Sequence, residues 1–293
     1  MKFSLLILFA FLLFPALSFS QTAYPPEIEG TTEMVYKTVG DTELKLWEFH
    51  PDEAKPENPR PAVIFFFGGG WKGGSPTQFV TQSEHLASKG IVAFVADYRV
   101  ASRHHTKAKD CVADARDAMR YLRAHAEELG IDPDRIAAGG GSAGGHIAAC
   151  LGVIEDDAES KPNAMLLFNP ACVIVPLDGK NYWAEDRREE MTERMGVEPE
   201  ALSPAHHVSA AAPPCIIFHG EADDTVPFAT AAVFTEKMRE AGVVCELKGY
   251  PGEAHGFFNP FRQPEEKREK IFGQTMNQLD AFLIKLGWMN QPQ

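Results

Sequence analysis

From Pro61 onward the apolar residues of this chain fall into short unbroken runs rather than alternating ones. AVIFFF (62–67) is followed by the helical period of FVTQSEHLASK, IVAFVAD (91–97) by a long amphipathic stretch from Lys107 to Ala126, and RIAAGG (135–140) by SAGGHIAACLG. AMLLFN (164–169), PCIIFHG (214–220) and VCELKGY (244–250) continue the series, with ATAAVFTEKMREAG between the last two and a final helical stretch from about Pro264 to Leu286. Runs that are apolar at every position are strands buried on both faces. Helices between them predict an α/β fold: a mostly parallel, twisted sheet covered on both sides and joined by right-handed crossovers. Ahead of this region, MVYKTV (34–39) and LKLWEF (44–49) flank Gly40-Asp41 and predict a β-hairpin. Two stretches break the rhythm. Residues 51–60 (PDEAKPENPR) read as a polar, proline-rich surface loop, and residues 171–212 as a long insertion with a charged helix from Ala184 to Met195. Insertions of that length in a compact domain usually carry function, and this one is expected to form a short cap over the carboxyl edge of the sheet.

The first twenty residues have a different character. Lys2 precedes an unbroken apolar run from Leu5 to Phe14, Pro15 ends it, and Ser18 and Ser20 supply the small residues of a cleavage site. The run is short for a membrane span. The expectation is a signal peptide at 1–20, a mature chain of one domain at 21–293, export to the periplasm or outside the cell, and no stable membrane insertion after cleavage. The full chain has 293 residues and a formal net charge of −13. An acidic chain without a basic stripe argues against nucleic acid as a partner. The five cysteines (111, 150, 172, 215 and 245) are widely spaced and lack a CxxC pair, so they predict no zinc-ribbon site. Most sit in apolar surroundings, as small buried residues do. One disulfide is compatible with export, and the odd count leaves at least one thiol free.

Ligands of open α/β sheets bind at the carboxyl ends of the strands, and reactive residues cluster there. RIAAGG runs into Gly140-Gly141-Ser142-Ala143-Gly144 and then a helix, which is G-x-S-x-G at a strand-to-helix turn. Such a turn lifts a serine hydroxyl to the start of a helix, where the dipole and the Ala143 N–H favour developing negative charge. Gly139, Gly141 and Gly144 also satisfy G-x-G-x-x-G, but a dinucleotide site needs an acidic residue at the end of the next strand, and AMLLFN ends in Asn169. Two later strands end in Glu221-Ala222-Asp223-Asp224 and in Glu253-Ala254-His255. The chain order serine, acid, histidine is that of a nucleophile, an orienting acid and a base.

These stretches resemble the α/β-hydrolases of the esterase/lipase group, with hormone-sensitive-lipase-like and carbohydrate-esterase-like members such as acetyl xylan and feruloyl esterases. The resemblance rests on FGGGW (67–71), DYR (97–99), IDPDRIAAGGGSAGGH (131–146), SPAHHV (203–208), HGEADDTVP (219–227) and EAHGF (253–257). It implies the α/β-hydrolase fold and a triad of Ser142, Asp223 and His255, with Asp224 as the alternative acid. It also implies an oxyanion hole from the N–H groups of Gly69, Gly70 and Ala143. Trp71 is expected either to wall the acyl pocket or simply to pack. Related proteins usually carry histidine where this chain has Phe67, so packing must hold the loop here. His146 is expected to be a packing and hydrogen-bonding residue and His219 to secure the acid turn. His206 and His207 are expected in a solvated loop, and His104, His105 and His125 at the surface. No histidine spacing indicates a metal site, and no cofactor is implied. The implied function is serine carboxylic-ester hydrolysis through an acyl-enzyme, on short-chain or carbohydrate-linked esters. The alternatives are a prolyl-oligopeptidase-type peptidase, for which about forty residues ahead of the strand before GGGW are too few to supply the usual extra domain, and a non-catalytic binding protein on the same scaffold. The oligomeric state is not legible.

Overall fold

A computed structural model describes residues 24–51, 59–259 and 264–291. The expected signal peptide at 1–20 and most of the proline-rich loop lie outside them. Eight strands form one sheet: β1 (Thr32–Val39), β2 (Thr42–Phe49), β3 (Arg60–Phe66), β4 (Val92–Ala96), β5 (Ile131–Gly141), β6 (Ala164–Phe168), β7 (Cys215–Gly220) and β8 (Cys245–Tyr250). Their order is β1-β2-β4-β3-β5-β6-β7-β8. The β1–β2 hairpin and the β2–β4 pair are antiparallel, and every later pairing is parallel. This is the fold class expected from the apolar runs.

The runs are apolar throughout because both faces are covered. In β3, Ala62, Ile64 and Phe66 join the core beneath the helices Ala108–Ala124 and Ala143–Val153, while Val63 and Phe65 join the core beneath Val80–Ser88 and Glu265–Lys285. Burying a phenylalanine contributes about 1.5–3 kcal/mol, so consecutive phenylalanines sent to opposite faces pin the end of β3. The charged helix of the insertion begins at Arg188 rather than at Ala184. The Asp186 carboxylate accepts the Arg188 N–H at 3.0 Å and holds the preceding backbone in a turn. All five cysteines are buried free thiols, including Cys215 and Cys245, which face each other in register on β7 and β8; no disulfide forms.

The loop leaving β3 is bound along its length by the segment that follows β4. Tyr98 Oη donates to the Phe67 carbonyl at 2.6 Å, and the Phe67 and Tyr98 rings stack with centroids 4.1 Å apart. The Ala101 N–H donates to the Trp71 carbonyl at 3.1 Å and the Ser102 N–H to the Lys72 carbonyl at 2.9 Å. Arg103 Nη1 donates to the Gly74 carbonyl at 3.0 Å. Arg103 is anchored in turn by Tyr24, whose hydroxyl accepts from Nη2 at 2.7 Å and whose ring lies 3.7 Å from the guanidinium. The Tyr24 hydroxyl donates to the Asp97 carboxylate, which also accepts the Tyr98 N–H at 2.8 Å.

Two consequences are measurable. Tyr98→Phe keeps the ring stack but leaves the buried Phe67 carbonyl without its donor, so stability should fall by about 1–3 kcal/mol in denaturant titrations; an unchanged midpoint would remove this bond from the account. Asp97 is 2% exposed, and burial pushes its carboxyl up to about 6 against the lowering influence of the Tyr24 bond, the Arg103 charge and the Tyr98 N–H. The unfolded carboxyl ionises near pH ~4. The folded state therefore holds the proton more tightly, and this group's contribution to stability is lost as pH rises from ~4 through ~6, by about 3 kcal/mol in all. Asp97→Asn should raise the melting temperature at pH 8 by several degrees and give little gain at pH 4. A gain that is the same at both pH values would contradict the assignment.

Candidate active site

Ser142 stands between β5 and the helix Ala143–Val153 with φ 54° and ψ −116°. A non-glycine residue held in such a region costs roughly 1–3 kcal/mol and persists only when its surroundings fix it. They do: the Ser142 N–H donates to the Phe168 carbonyl at 2.9 Å, and the Ser142 carbonyl accepts the His146 N–H at 2.9 Å. The flanking glycines answer to crowding. A Cβ on Gly144 would lie 2.0 Å from the Phe66 carbonyl oxygen, and one on Gly140 would lie 2.4 Å from the same atom. The elbow therefore rests directly on the end of β3. The glycines that mimic a dinucleotide fingerprint are absorbed by this packing, since Gly139 abuts Phe65 and Gly141 abuts Phe258.

His255, beyond β8, reaches both partners. Its Nε2 lies 2.9 Å from Ser142 Oγ and its Nδ1 lies 2.7 Å from Asp223 Oδ2. The other oxygen of Asp223 accepts the N–H groups of Thr225 at 2.9 Å and Val226 at 2.8 Å. His219, fully buried, donates from Nε2 to the Val226 carbonyl at 2.8 Å and lies 3.3 Å from Asp223 Oδ2. Burial works to raise the Asp223 carboxyl, but the bonds from His219, His255 and the Val226 N–H outweigh it and hold the group well below the usual carboxylate range. Asp223 is thus a fixed anion that keeps the His255 proton on Nδ1 and leaves Nε2 free to accept from Ser142. Asp224 is exposed, with only the Thr225 hydroxyl 3.5 Å from its carboxylate. Asn169, which ends β6, has its Nδ2 3.4 Å from His255 Nδ1, while its Oδ1 is buried without a partner. The Nδ1 proton is already directed at Asp223, so the Asn169 amide flanks the imidazole without being its main partner.

In the loop after β3, the Gly68 N–H is taken by Gln78 Oε1 at 2.5 Å. The N–H groups of Gly69, Gly70 and Ala143 meet no acceptor among the described residues. Gly69 has φ 138°, its carbonyl accepts the N–H groups of Lys72 at 3.1 Å and Gly73 at 3.2 Å, and a Cβ there would lie 2.2 Å from the Gly73 oxygen. Trp71, with φ 60°, is held by its indole N–H, which donates to His146 Nδ1 at 3.2 Å. The opposite nitrogen of His146 donates to the Leu202 carbonyl at 2.7 Å. Burial pushes His146 down to about 4, against the raising influence of Leu202, so the ring stays neutral and Nδ1 remains an acceptor. Trp71 both packs and lines the cavity at Ser142, so its two expected roles coincide.

That cavity has a volume of about 100 Å³ and is bordered by Ser142, Gly70 and Ala143. Sequence reasoning missed the residues that close it from the insertion: Ala171, Ile174, Trp183, Arg187, Met191 and Arg194. Their only signal was membership of a long segment leaving the carboxyl end of β6. His206 and His207 do not line it. His206 bonds Ser203 Oγ at 2.9 Å and His207 bonds the Glu200 carbonyl at 2.7 Å, so both are tied into the insertion rather than free in solvent. His104 accepts the Val100 N–H at 3.0 Å, and His125 stacks on Tyr121 with centroids 4.1 Å apart. Among the described residues, no group of three or more His, Cys, Asp or Glu side chains is placed to hold a metal ion.

Comparison with known proteins agrees with this architecture. The family described as BD-FAE matches residues 49–238, and the dienelactone hydrolase family matches residues 195–283. Esterase LipC of Mycobacterium tuberculosis is 31% identical over 74% of this chain, and the chain spans 58% of LipC. Carboxylesterase NlhH of the same species is 28% identical over 82% of this chain and 80% of its own length. Among solved structures, the thermophilic esterase Est2 of Thermogutta terrifontis is 47% identical with a TM-score of 0.84, covering 92% of this chain and 97% of that one. Est2 has also been solved with propionate bound, with butyrate bound and phosphonylated by sarin. A family match across most of the chain and an esterase of nearly the same length at 47% identity agree with one another: the chain belongs to the BD-FAE family of α/β-hydrolase esterases.

Proposed function

We propose that this protein is a serine carboxylesterase that works through an acyl-enzyme on short-chain esters, with Ser142, His255 and Asp223 as its triad and the N–H groups of Gly69, Gly70 and Ala143 as its oxyanion hole. The observation that carries the reading is a continuous chain from Asp223 to His255 to Ser142, at 2.7 and 2.9 Å, ending at a small cavity that Gly70 and Ala143 also border, with the N–H groups of Gly69, Gly70 and Ala143 meeting no acceptor among the described residues. His255 takes the hydroxyl proton as Ser142 Oγ attacks the acyl carbon, and the carbonyl oxygen becomes an anion facing the three N–H groups. Collapse breaks the ester C–O bond, and the alcohol leaves with the proton that His255 returns. Water then gives a proton to His255 and attacks the acyl carbon. The carboxylic acid departs and Ser142 recovers its proton. Asp223 stays ionised throughout.

A volume of about 100 Å³ has room for an acyl group of a few carbons. It favours acetyl over feruloyl, whose ring and propenoyl arm need more space. Acetylated carbohydrate remains the natural substrate on this reading, and export is part of it, supported by the apolar run Leu5 to Phe14 after Lys2. Among the described residues no helix is long and apolar enough to cross a membrane.

The test is hydrolysis of p-nitrophenyl esters from acetyl to palmitoyl, with acetylated xylan and methyl ferulate alongside. Rates should peak at two to four acyl carbons, and Ser142→Ala should lower kcat by at least ~10³. A variant at wild-type rate, or a protein that cleaves peptides and no ester, would overturn the reading. Gly69→Ala should lower kcat by about 10²–10³ with a smaller change in KM, because the loop can no longer turn its N–H groups toward the anion that forms in the transition state. An equal rise in KM with kcat unchanged would place Gly69 outside the oxyanion hole.

A further inference from the structure

The space beside Ser142 is unevenly charged. Its inner wall is apolar, with Trp71, Ile174, Met191 and Val226, and the insertion adds Arg187 and Arg194. A second cavity of about 250 Å³ shares Gly70, Trp71 and Arg194 with the first and adds Lys72, Lys107, Glu190 and Glu193. Four cationic side chains and two carboxylates therefore face the adjoining spaces, in a chain whose net charge is −13.

The pairing leaves positive charge over. Arg187 grips Glu190 through Nε at 3.0 Å and Nη2 at 3.1 Å, and Arg194 Nη2 lies 2.7 Å from the same carboxylate. One carboxylate cannot neutralise two guanidiniums. Lys107 lies 3.7 Å from Glu193, which is 85% exposed, and a pair that open to water is worth little. Lys72 is exposed and makes no ion pair within 4.0 Å among the described residues. The Arg187 guanidinium also lies 4.9 Å from the centre of the Trp183 ring, and the Trp183 indole donates to the Val173 carbonyl at 2.9 Å. The arginine thus rides on an aromatic plate that is itself fixed. A guanidinium held this way suits bidentate recognition of a carboxylate, and a surplus of one sign in a cleft raises the local concentration of the opposite charge.

Resting on the esterase reading above, we propose that Arg187, Arg194 and Lys72 form a subsite for an anionic alcohol portion, so that the preferred substrates are short-chain acyl esters of carboxylate-bearing alcohols, such as hydroxy acids or acidic sugars. The cavity of about 100 Å³ takes the acyl group, and the alcohol extends past Arg194, which lines both spaces, toward Lys72 in the 250 Å³ cavity, with Arg187 meeting it from the first. The ester's carboxylate competes with Glu190 for the two arginines.

The test compares 4-acetoxybenzoate with its neutral analogue 4-acetoxybenzamide, each rate normalised to its hydroxide-catalysed hydrolysis. Wild-type kcat/KM should favour the anionic ester by about tenfold or more, chiefly through KM, and the preference should shrink between 20 and 300 mM salt as screening grows. In Arg187→Gln/Arg194→Gln the ratio of the two rates should fall toward one; because it is a ratio within one variant, a general loss of activity does not obscure it. Glu190→Gln should raise the ratio by freeing both guanidiniums. A wild-type ratio near one, with both esters turned over, would overturn the subsite and leave the esterase reading standing. A preference seen only with methyl hydrogen succinate over methyl butyrate would overturn the assignment to the alcohol side. Failure to cleave either acetoxy ester or p-nitrophenyl acetate would overturn the esterase reading, and the subsite with it.

Discussion

Everything at the candidate site depends on bare backbone held rigid. An oxyanion is stabilised by N–H groups that are already in place and spend nothing on reorganisation when charge develops. A loop of FGGGWKGG composition has the opposite tendency, because glycine loses more conformational freedom on ordering than any other residue. The structure meets this by binding the carbonyls and leaving the critical N–H groups free. Phe67, Trp71, Lys72 and Gly74 each offer a carbonyl to residues 98–103, and the turn at Gly69 folds the loop on itself. Acceptors are consumed in fixing the loop, and the N–H groups of Gly69 and Gly70 are left without an acceptor among the described residues.

The same strand end positions Ser142. The Phe66 carbonyl lies so close to Gly140 and Gly144 that any side chain there would displace the elbow. Ser142 and the glycine loop after β3 are therefore referenced to one point, the terminus of β3. His146 ties them together a second time: it sits one turn into the helix that follows Ser142, accepts the Trp71 indole and donates to Leu202 of the insertion. The resemblance to esterases and lipases implies a histidine at the Phe67 position. Here its work is divided between an aromatic stack on Tyr98 and this second histidine, which keeps its acceptor because burial keeps it neutral.

The fold was legible because its signal is local. Strands buried on both faces are apolar at nearly every position, and the cores of β3 to β7 read that way, whereas β8, at the sheet edge, carries Glu246 and Lys248. The elbow was legible because strand, glycine, serine and helix are contiguous. Less of the cavity was legible, because its lining is a tertiary matter. Trp183, Arg187 and Arg194 stand in a polar stretch with no periodicity to mark which side faces Ser142, and only the return of the insertion over the sheet edge selects them. Asn169 figured in the sequence as a missing acid, whereas its place beside His255 follows from β6 and β8 flanking β7. The start of the charged helix was misplaced because Asp186 offers its carboxylate to the backbone, a preference that helical composition does not reveal.

Two carboxylates just past the ends of β4 and β7 show how the chain sets charge by counting donors. Asp97 and Asp223 are both almost fully buried, at 2% and 7% exposure, so desolvation pushes both upward. Asp223 receives two backbone N–H groups and His255, with His219 close by, and is carried well below the usual range. Asp97 receives a tyrosine hydroxyl and one N–H, with Arg103 at 3.9 Å, and burial wins. Their contributions to stability then run in opposite directions and in different windows. Asp223 favours the folded state above pH ~4 and loses that contribution as acid protonates it, whereas Asp97 disfavours the folded state increasingly from pH ~4 to ~6. Of the two, the chain keeps the more heavily bonded carboxylate beside His255. It leaves the more sparsely bonded one beside Tyr24 and Arg103, the pair that anchors the Gly74 end of the loop after β3.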